Sequence, residues 1–336
     1  MKDEKCTQII MTEPAAPEPE ELPVEKSWLE QKLNESMGAQ GKLLETQSAV
    51  ISKGRGFMSF VHRVVLVWDP DCGKGLEKLP KTVILKIPTS TKLAEISEDM
   101  SKLMNQSGEM VKELHNREVY MYKFLTSDGP PPIKIPKIYY AEEIDEKSDG
   151  ILILEDLSEN STSLQFGVYY NEGKIEAIAK SIAAFQAFCL KHPGWEERLE
   201  QPRDMIAQFA ATIESASEKF FKAHPDSKVN RERFEPLQNH IKQSIDRFVR
   251  CSSMKEMGQK LGFPVVITLG DLQPNNILWR TEDGSTEPTD QIVAMIDFQI
   301  FVIFYTLIQD LFTLTLSYRR GLFAVSLHGP GKPTKG

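Results

Sequence analysis

Apolar and polar residues alternate with a period of two in several segments of residues 47–158, and this pattern predicts β-strands. The stretch SAVISKGRGFMSFVHRVVLVW predicts two strands around a glycine turn, and KTVILKIP predicts a third. PPPIKIPKIYYAEEID and DGILILEDLS supply two more strand candidates with a turn between them. Helical spacing instead appears from Ser27 and again between the third and fourth strands, where we expect two helices that break near Gly108.

The second half of the chain changes to a helical pattern from about Glu159. Apolar residues recur at nearly helical spacing in EGKIEAIAKSIAAFQAFCLKHPGW, and we expect further helices over about 203–222 and 231–260. VITLGDLQPNNILWR then joins two strand-like apolar runs through a polar loop, and DQIVAMIDFQ predicts one more strand. Strands followed by helices predict an α+β fold with a boundary near Leu157–Glu159.

The pattern also predicts how the chain is divided. Residues 1–26 are acidic and rich in proline and lack the apolar segment of a signal peptide, so we expect a disordered leader. Residues 27–158 then form the strand-rich part, 159–320 the larger helical part, and 321–336 an atypical tail.

The apolar segment 298–318 has the length of a membrane span. Asp310 lies inside it, and a charge near the bilayer centre costs about 2.5–3.5 kcal/mol. We therefore expect a buried strand followed by a helix, and a membrane anchor is the alternative.

Composition narrows the possible partners. The 336 residues are 40% hydrophobic and 26% charged, with a net charge of −8, and an acidic chain of this kind is not typical of nucleic-acid binders. The same charge favours a cationic or neutral small-molecule partner. The cysteines lack any ligand spacing, so we expect free thiols in a reducing, cytoplasmic environment; they are Cys6, Cys72, Cys189 and Cys251.

The polar loop between the apolar runs holds the candidate chemistry. Phosphoryl transfer requires Mg²⁺ at the phosphates, an acidic group at the attacking hydroxyl, and a cradle for the phosphates. Mg²⁺ prefers carboxylate and amide oxygens, so Asn276 and Asp297 are candidate metal ligands and Asp271 is the candidate catalytic base. A turn or helix N-cap is the alternative role for Asp271, and Asn275 is interpreted as shaping the loop.

The order D-L-Q-P-N-N followed by I-D-F-Q resembles the catalytic and metal-binding loops of the kinase-like fold. The similar branch contains aminoglycoside phosphotransferases, choline and ethanolamine kinases, and ecdysteroid-kinase-like (CHK) proteins. This resemblance implies a small β-rich N-lobe, a larger and mostly helical C-lobe, and ATP and Mg²⁺ in the cleft between them. It also implies a small-molecule alcohol as acceptor, similar to choline or ethanolamine, an aminoglycoside or an ecdysteroid.

The first half carries the same resemblance, because GRGFMS matches the G-x-G-F-x-S turn of CHK-like proteins and KTVILKIP their lysine strand. The resemblance implies that the turn covers the nucleotide phosphates, that Lys86 binds them, and that Glu118 pairs with Lys86. Backbone near residues 155–157 would meet the adenine. The implied nucleotide-binding residues are Gly54, Gly56, Phe57, Met58, Ser59, Lys86, Glu118, Glu155, Asp156 and Leu157.

Each of these motifs has a plainer interpretation when it is taken alone. GRGFMS could be a simple hairpin turn, Lys86 a solvent-facing lysine on an edge strand, and Glu118 a solvated residue of a helix. Leu269 stands where the family has a histidine, and the run after Gln299 lacks the family's Gly and Pro. A catalytically impaired, kinase-shaped binding or scaffold protein is therefore the alternative to an active enzyme.

Overall fold

The computed structural model describes residues 21–52, 58–71, 73–89, 107–164, 170–199, 266–282, 285–299 and 301–304, together with residues 222, 236 and 262. The helices are α1 (Lys26–Met37), α2 (Ser107–Leu125), α3 (Glu172–Lys191) and α4 (Glu196–Leu199). The strands are β1 (Leu43–Val50), β2 (Ser59–Trp68), β3 (Thr82–Pro88), β4 (Ile138–Ile144), β5 (Asp149–Glu155), β6 (Ser161–Ser163), β7 (Val266–Leu269), β8 (Ile277–Thr281), β9 (Pro288–Met295) and β10 (Phe301–Phe304). Short 3₁₀ helices cover Leu76–Lys78 and Pro274–Asn276.

The strand-rich half folds into one five-stranded sheet with the order β1-β2-β3-β5-β4. Every neighbouring pair in it is antiparallel, so the five predicted strands are confirmed. β3 lies at the centre, where Lys86 is opposite Val61 of β2 and Leu152 of β5. Paired residues share a face of an antiparallel sheet, so these three side chains point to the same side.

The two faces of this sheet pack against different hydrophobic cores. One face packs against α1 through a cluster that includes Leu29, Leu33, Val64, Leu85 and Ile153. α1, which was predicted from Ser27, ends where Gly38 adopts a left-handed φ of 59° and its amide bonds back to the helix. The other face belongs to the larger core, which joins Leu152 and Leu154 to α2, α3 and the later strands.

α2 packs across the sheet and contacts β3, β4 and β5. Its described residues start at Ser107, and the first of the two helices expected around Gly108 lies outside the described residues. His115 Nε2 lies 2.8 Å from the carbonyl oxygen of Glu142, and burial lowers the pKa of His115, so the neutral imidazole donates this hydrogen bond. Gly150, with φ of 73°, allows the close approach, because a Cβ there would lie 2.6 Å from His115 Nε2.

The later part of the chain contributes α3 and two smaller antiparallel sheets, with orders β6-β8-β9 and β10-β7. α3 packs against β7 and β9. Lys174 at its start is buried, 2.7 Å from Asp290 and 5.2 Å from the centre of the Trp279 ring. The three-residue strand β6 was not predicted, because its STS sequence shows no apolar alternation.

The α+β class is confirmed for the described residues. The two-lobed layout and the helical C-lobe stay predictions, since the helices expected over 203–222 and 231–260 lie almost wholly outside the described residues. Residues 301–304 form a strand, as expected for the start of the apolar segment, and 305–318 lie outside the described part. Within the described ranges, no helix is both long enough and apolar enough to cross a bilayer.

Candidate functional site

Lys86, on the central strand β3, forms two ion pairs, a buried one with Glu118 and a half-buried one with Asp297. Its Nζ lies 2.7 Å from Glu118 Oε2 on α2 and 2.8 Å from Asp297 Oδ1 after β9. Lys86 is 7% exposed and Glu118 0% exposed, so the interpretations of an edge lysine and a solvated helix glutamate are wrong. The pairing of this lysine with this glutamate agrees with the geometry that the resemblance implied.

The three charges of this cluster are not balanced, because one ammonium faces two carboxylates. Burial works against the charge on Lys86, yet Asp297 and Glu118 together raise its pKa above the ordinary lysine value. Burial raises the pKa of Glu118 to about 7 although Lys86 opposes the rise, and the negative charge of Asp297 adds to it. Glu118 is therefore the member of the cluster that binds a proton as the pH falls toward neutrality.

Asp297 is held in an unusual backbone conformation next to this cluster. Its φ is 66°, and among the described residues it is the one non-glycine residue with a positive φ. The left-handed conformation costs roughly 1–2 kcal/mol for an ordinary residue, so the surrounding contacts must enforce it. Before it, the Ile296 amide donates to the Asn276 carbonyl at 3.0 Å, and after it Phe298 packs edge-on against Tyr122 with ring centres 5.3 Å apart.

The predicted catalytic loop is organised by its own side chains. Asn276 Nδ2 donates to the carbonyl oxygen of Asp271 at 3.0 Å and to its Oδ2 at 3.2 Å. Gln273 Nε2 donates to Asp271 Oδ1, and Asn275 Nδ2 donates to Asn276 Oδ1 at 3.1 Å. Burial raises the pKa of Asp271, and the hydrogen bonds from Gln273 and Asn276 offset only part of this rise.

The antiparallel pair β8-β9 brings Asn276 next to Asp297. β8 begins directly after Asn276, β9 ends two residues before Asp297, and Ile277 is paired with Met295. Asp271, Asn276 and Asp297 therefore line one small pocket, as the sequence predicted for two strands flanking a polar loop. The apolar part of its lining is Leu269, Leu272, Met295, Ile296 and Phe298.

The donor chemistry of this pocket fits Mg²⁺. Asn276 brings an amide oxygen and Asp297 a carboxylate, both hard oxygen donors. In the described residues no group of three or more His, Cys, Asp or Glu side chains forms a metal cluster. Mg²⁺ usually takes one or two protein carboxylates and completes its shell with water and phosphate oxygens.

Leu269 occupies the position of the family histidine at the end of β7. It is 8% exposed, belongs to the large core, and is paired with Phe301 of β10. An apolar side chain therefore packs where a polar ring was expected from the resemblance.

The segment after β5, residues 155–157, is fixed by hydrogen bonds. Glu155 exchanges two of them with Lys137, since its amide donates to the Lys137 carbonyl at 2.9 Å and its Oε2 accepts from the Lys137 amide at 3.0 Å. The Leu157 carbonyl accepts from Ser161 Oγ at 2.6 Å. Asp156 accepts from Arg63 Nε at 2.6 Å, a partner that the sequence did not indicate.

The glycine turn is described only at its end. Gly54, Gly56 and Phe57 lie outside the described residues. The Met58 carbonyl accepts from the Thr89 amide at 2.9 Å, and Ser59 opens β2 opposite Pro88. These two residues therefore stand at the end of the β2-β3 pair, three and two residues before Val61, the partner of Lys86.

The chain belongs to the family described as "DUF1679: Uncharacterized oxidoreductase dhs-27", which matches residues 24–318. It is 24% identical over 253 residues to the Caenorhabditis elegans "Uncharacterized kinase-like protein D1044.1", covering 74% of this chain and 62% of the relative. The chain thus spans less than two thirds of that relative. The predicted resemblance to kinase-like proteins is confirmed by this match.

Solved structures similar to the chain are phosphotransferases by their names. One is the gentamicin complex of APH(2")-IIa, with a TM-score of 0.42 and 14% identity, covering 84% of this chain and 72% of that one. Another is the choline kinase of Cryptosporidium parvum Iowa II, with a TM-score of 0.40 and 15% identity, covering 82% and 62% of the two chains.

Proposed function

We propose that this chain transfers the γ-phosphoryl group of ATP to a hydroxyl group of a small molecule, with Mg²⁺ as the metal cofactor. The observation that carries the proposal is the 2.8 Å contact between Lys86 and Asp297, which joins positions 211 residues apart beside the pocket of Asp271 and Asn276. A cation for phosphates, two hard oxygen donors and a carboxylate for the acceptor are the groups that phosphoryl transfer requires.

Lys86 and Glu118 are assigned to the nucleotide. Lys86 would bind phosphate oxygens, and Glu118 would hold the ammonium in place from the side of α2. The turn at residues 54–59 would cover the phosphates with backbone amides. Backbone of residues 155–157 would meet the adenine.

Asn276 and Asp297 are assigned to Mg²⁺. Asp297 uses Oδ1 for Lys86, and its second carboxylate oxygen is the one proposed for the metal. When bound, Mg²⁺ would neutralise negative charge on the phosphates. The left-handed backbone of Asp297 would serve to aim the carboxylate at the pocket.

Asp271 is assigned to the acceptor. The acceptor oxygen would attack the γ-phosphorus, the bond from phosphorus to the oxygen that bridges the β- and γ-phosphates would break, and the proton of the hydroxyl would pass to Asp271. Hydrogen bonds from Gln273 and Asn276 orient this carboxylate. Its raised pKa makes it a better proton acceptor than an exposed aspartate.

The acceptor is proposed only as a class, an alcohol similar to choline or ethanolamine, an aminoglycoside or an ecdysteroid. The word oxidoreductase in the family description does not find support in the described sheets, all of which are antiparallel. Dinucleotide-binding oxidoreductase domains use a mostly parallel sheet with a glycine-rich first turn.

A second candidate is a kinase-like protein that binds a nucleotide without transferring phosphate. The buried Leu269 favours it, because an apolar side chain cannot replace the hydrogen bonds of a loop histidine. Poor positioning of the loop could lower the rate strongly without affecting nucleotide binding.

Thermal unfolding with and without Mg-ATP tests the proposal, followed by an assay for ADP release with a panel of alcohols. A ligand that binds only the folded state raises Tm by mass action. We expect Mg-ATP to raise Tm in the wild type and in the exposed control Asp71→Ala, but not in Asp297→Ala. No shift at millimolar Mg-ATP in a cooperatively unfolding protein would overturn the proposal, and a shift without ADP release for any alcohol would favour the second candidate.

A further inference from the structure

Arg63 lies on the same face of the central sheet as Lys86. It is opposite Ile84 of β3, which is in turn opposite Leu154 of β5. Ile84 precedes Lys86 by two residues on β3, so their side chains point to the same side of the sheet, and Arg63, as the partner of Ile84, shares that side. The row that holds Arg63 is therefore about 7 Å along the strands from the row that holds Lys86.

The side chain of Arg63 crosses β3 and reaches the segment that follows β5. Its Nε donates to Asp156 Oδ2 at 2.6 Å, and Asp156 Oδ1 accepts from the Ser158 amide at 3.0 Å. The Asp156 side chain is 2% exposed, whereas the Arg63 side chain is 44% exposed. A buried carboxylate thus fixes one edge of the guanidinium, and much of the arginine remains open to a ligand.

The pairing with Asp156 decides which part of a nucleotide Arg63 can contact. A phosphate near this guanidinium would also approach the Asp156 carboxylate, and the repulsion would offset the attraction. A nucleobase is neutral and planar, so the Asp156 carboxylate does not repel it. Guanidinium planes stack well on aromatic rings and on nucleobases, and this requires a fixed orientation more than a net charge.

We propose that Arg63 is a nucleobase-stacking residue, on which a purine at residues 155–157 packs while Asp156 holds the guanidinium in position. The inference rests on the proposed function, because it takes Lys86 as the phosphate end of the nucleotide site. Val61 and Ile84, half-buried on the same face, complete the apolar surface that a base would contact.

The test separates the base from the phosphates. Calorimetric titration of the full chain gives the Kd for Mg-ATP and for Mg-tripolyphosphate, which has the phosphates without the base. Arg63→Met keeps an unbranched apolar stem but removes the planar cation, and Arg63→Lys keeps the charge but removes the plane. Arg280→Met, an exposed arginine of β8, is the matched control.

We expect both Arg63 variants to weaken Mg-ATP about tenfold and to leave tripolyphosphate within about twofold of the wild type. Asp156→Asn should give a smaller loss for Mg-ATP, because the guanidinium stays but is less well oriented. A role in folding alone would weaken both ligands equally, and an unchanged Tm of Arg63→Lys checks that the fold is intact.

Three results would overturn the inference. An unchanged Kd for Mg-ATP would show that Arg63 does not contact the base, and equal losses for both ligands at an unchanged Tm would assign it to the phosphates. Tighter Mg-ATP binding by Arg63→Met would show that the ion pair obstructs the site. These results leave the proposed function standing, whereas a wild type that binds neither ligand would overturn both.

Discussion

Two buried lysines of the described residues each lie 2.7 Å from a carboxylate, but their surroundings differ in charge balance. Lys86 lies 2.7 Å and 2.8 Å from two carboxylates, while Lys174 lies 2.7 Å from one, Asp290, and is completed by the Pro288 carbonyl at 3.2 Å and the face of Trp279. The Lys174 cluster is neutral and complete in itself. The Lys86 cluster carries an excess carboxylate, which is what a site for a metal cation requires.

The pKa values of the carboxylates in the two clusters are shifted in opposite directions. Hydrogen bonds from Lys174 and Asn171 lower the pKa of Asp290, which is 47% exposed. Burial raises the pKa of Glu118, which has no contact with water. A short lysine–carboxylate distance is therefore weak support for a functional site, and an uncompensated buried charge is stronger support.

The largest effect is expected when the lysine of the unbalanced cluster is removed. Lys86→Met should abolish the Tm shift by Mg-ATP and lower kcat by about 10²–10³-fold, because a fixed cation at the phosphates is lost. The protein should still fold, since Glu118 can take up a proton once the ammonium is gone. Thermal shift and ADP release measure the two effects. Full activity in Lys86→Met would show that the Lys86 cluster, like the Lys174 cluster, has only a structural role.

The next effect is a pH dependence of stability that arises from Glu118 and that Asp290 should not share. Its pKa is raised in the folded state, so its contribution is fully present below the unfolded value of about 4.3 and is lost as the pH rises through about 7. We expect a loss of roughly 2–3 kcal/mol in unfolding free energy between pH 5 and 8, relative to Glu118→Gln. Asp290 has a lowered pKa, so its contribution is lost at acid pH instead.

Urea unfolding of wild type and Glu118→Gln at pH 5, 6.5 and 8 measures this difference. Taking the difference between the two proteins cancels other titrating groups such as His115, whose pKa is lowered by burial. Parallel curves for the two proteins would mean that Glu118 stays fully charged in its ion pair over this range.

A smaller and purely structural effect is expected in the balanced cluster. Lys174→Met should lower the unfolding free energy by about 1–2 kcal/mol through the loss of its hydrogen bonds, while the half-exposed Asp290 rehydrates. The Tm shift by Mg-ATP should remain as in the wild type. Thermal unfolding with and without Mg-ATP checks both expectations, and a lost shift would place this cluster in the nucleotide site.

The sequence predicted the grouping of Asp271, Asn276 and Asp297 better than it predicted the pairing of Lys86 with Glu118. Asp271 and Asn276 share one loop, and flanking strands carry Asp297 to the same place, so local spacing was sufficient. Lys86 and Glu118 could be paired only through the family resemblance, because strand alternation does not reveal whether a strand lies at the centre or the edge of a sheet. The order β1-β2-β3-β5-β4 settles this by placing β3 at the centre.

Contacts between distant positions were the ones that the sequence could not supply. Arg63 and Asp156 are 93 residues apart, and their pairing depends on the registers of three strands at once. The position of Tyr122 beside the Lys86 cluster could have been predicted, because Tyr122 follows Glu118 by four residues and therefore lies on the same face of α2. The glycine turn and the helices beyond residue 200 stay predictions.

The smallest expected effect concerns a buried tyrosine beside each cluster. The Tyr170 hydroxyl has no hydrogen-bond partner within the described part of the chain and lies beside Trp279, with ring centres 6.1 Å apart, whereas the Tyr122 hydroxyl makes a weak contact with the backbone of Asp297. Tyr122→Phe and Tyr170→Phe should each raise the unfolding free energy by up to about 1 kcal/mol, since a buried polar group is removed. Only Tyr122→Phe should lower kcat, by about threefold, because that residue lies beside the backbone of Asp297. Equal activity in the two variants would show that the packing of Phe298 on the aromatic ring is enough to hold Asp297, and that the hydroxyl plays no part in positioning it.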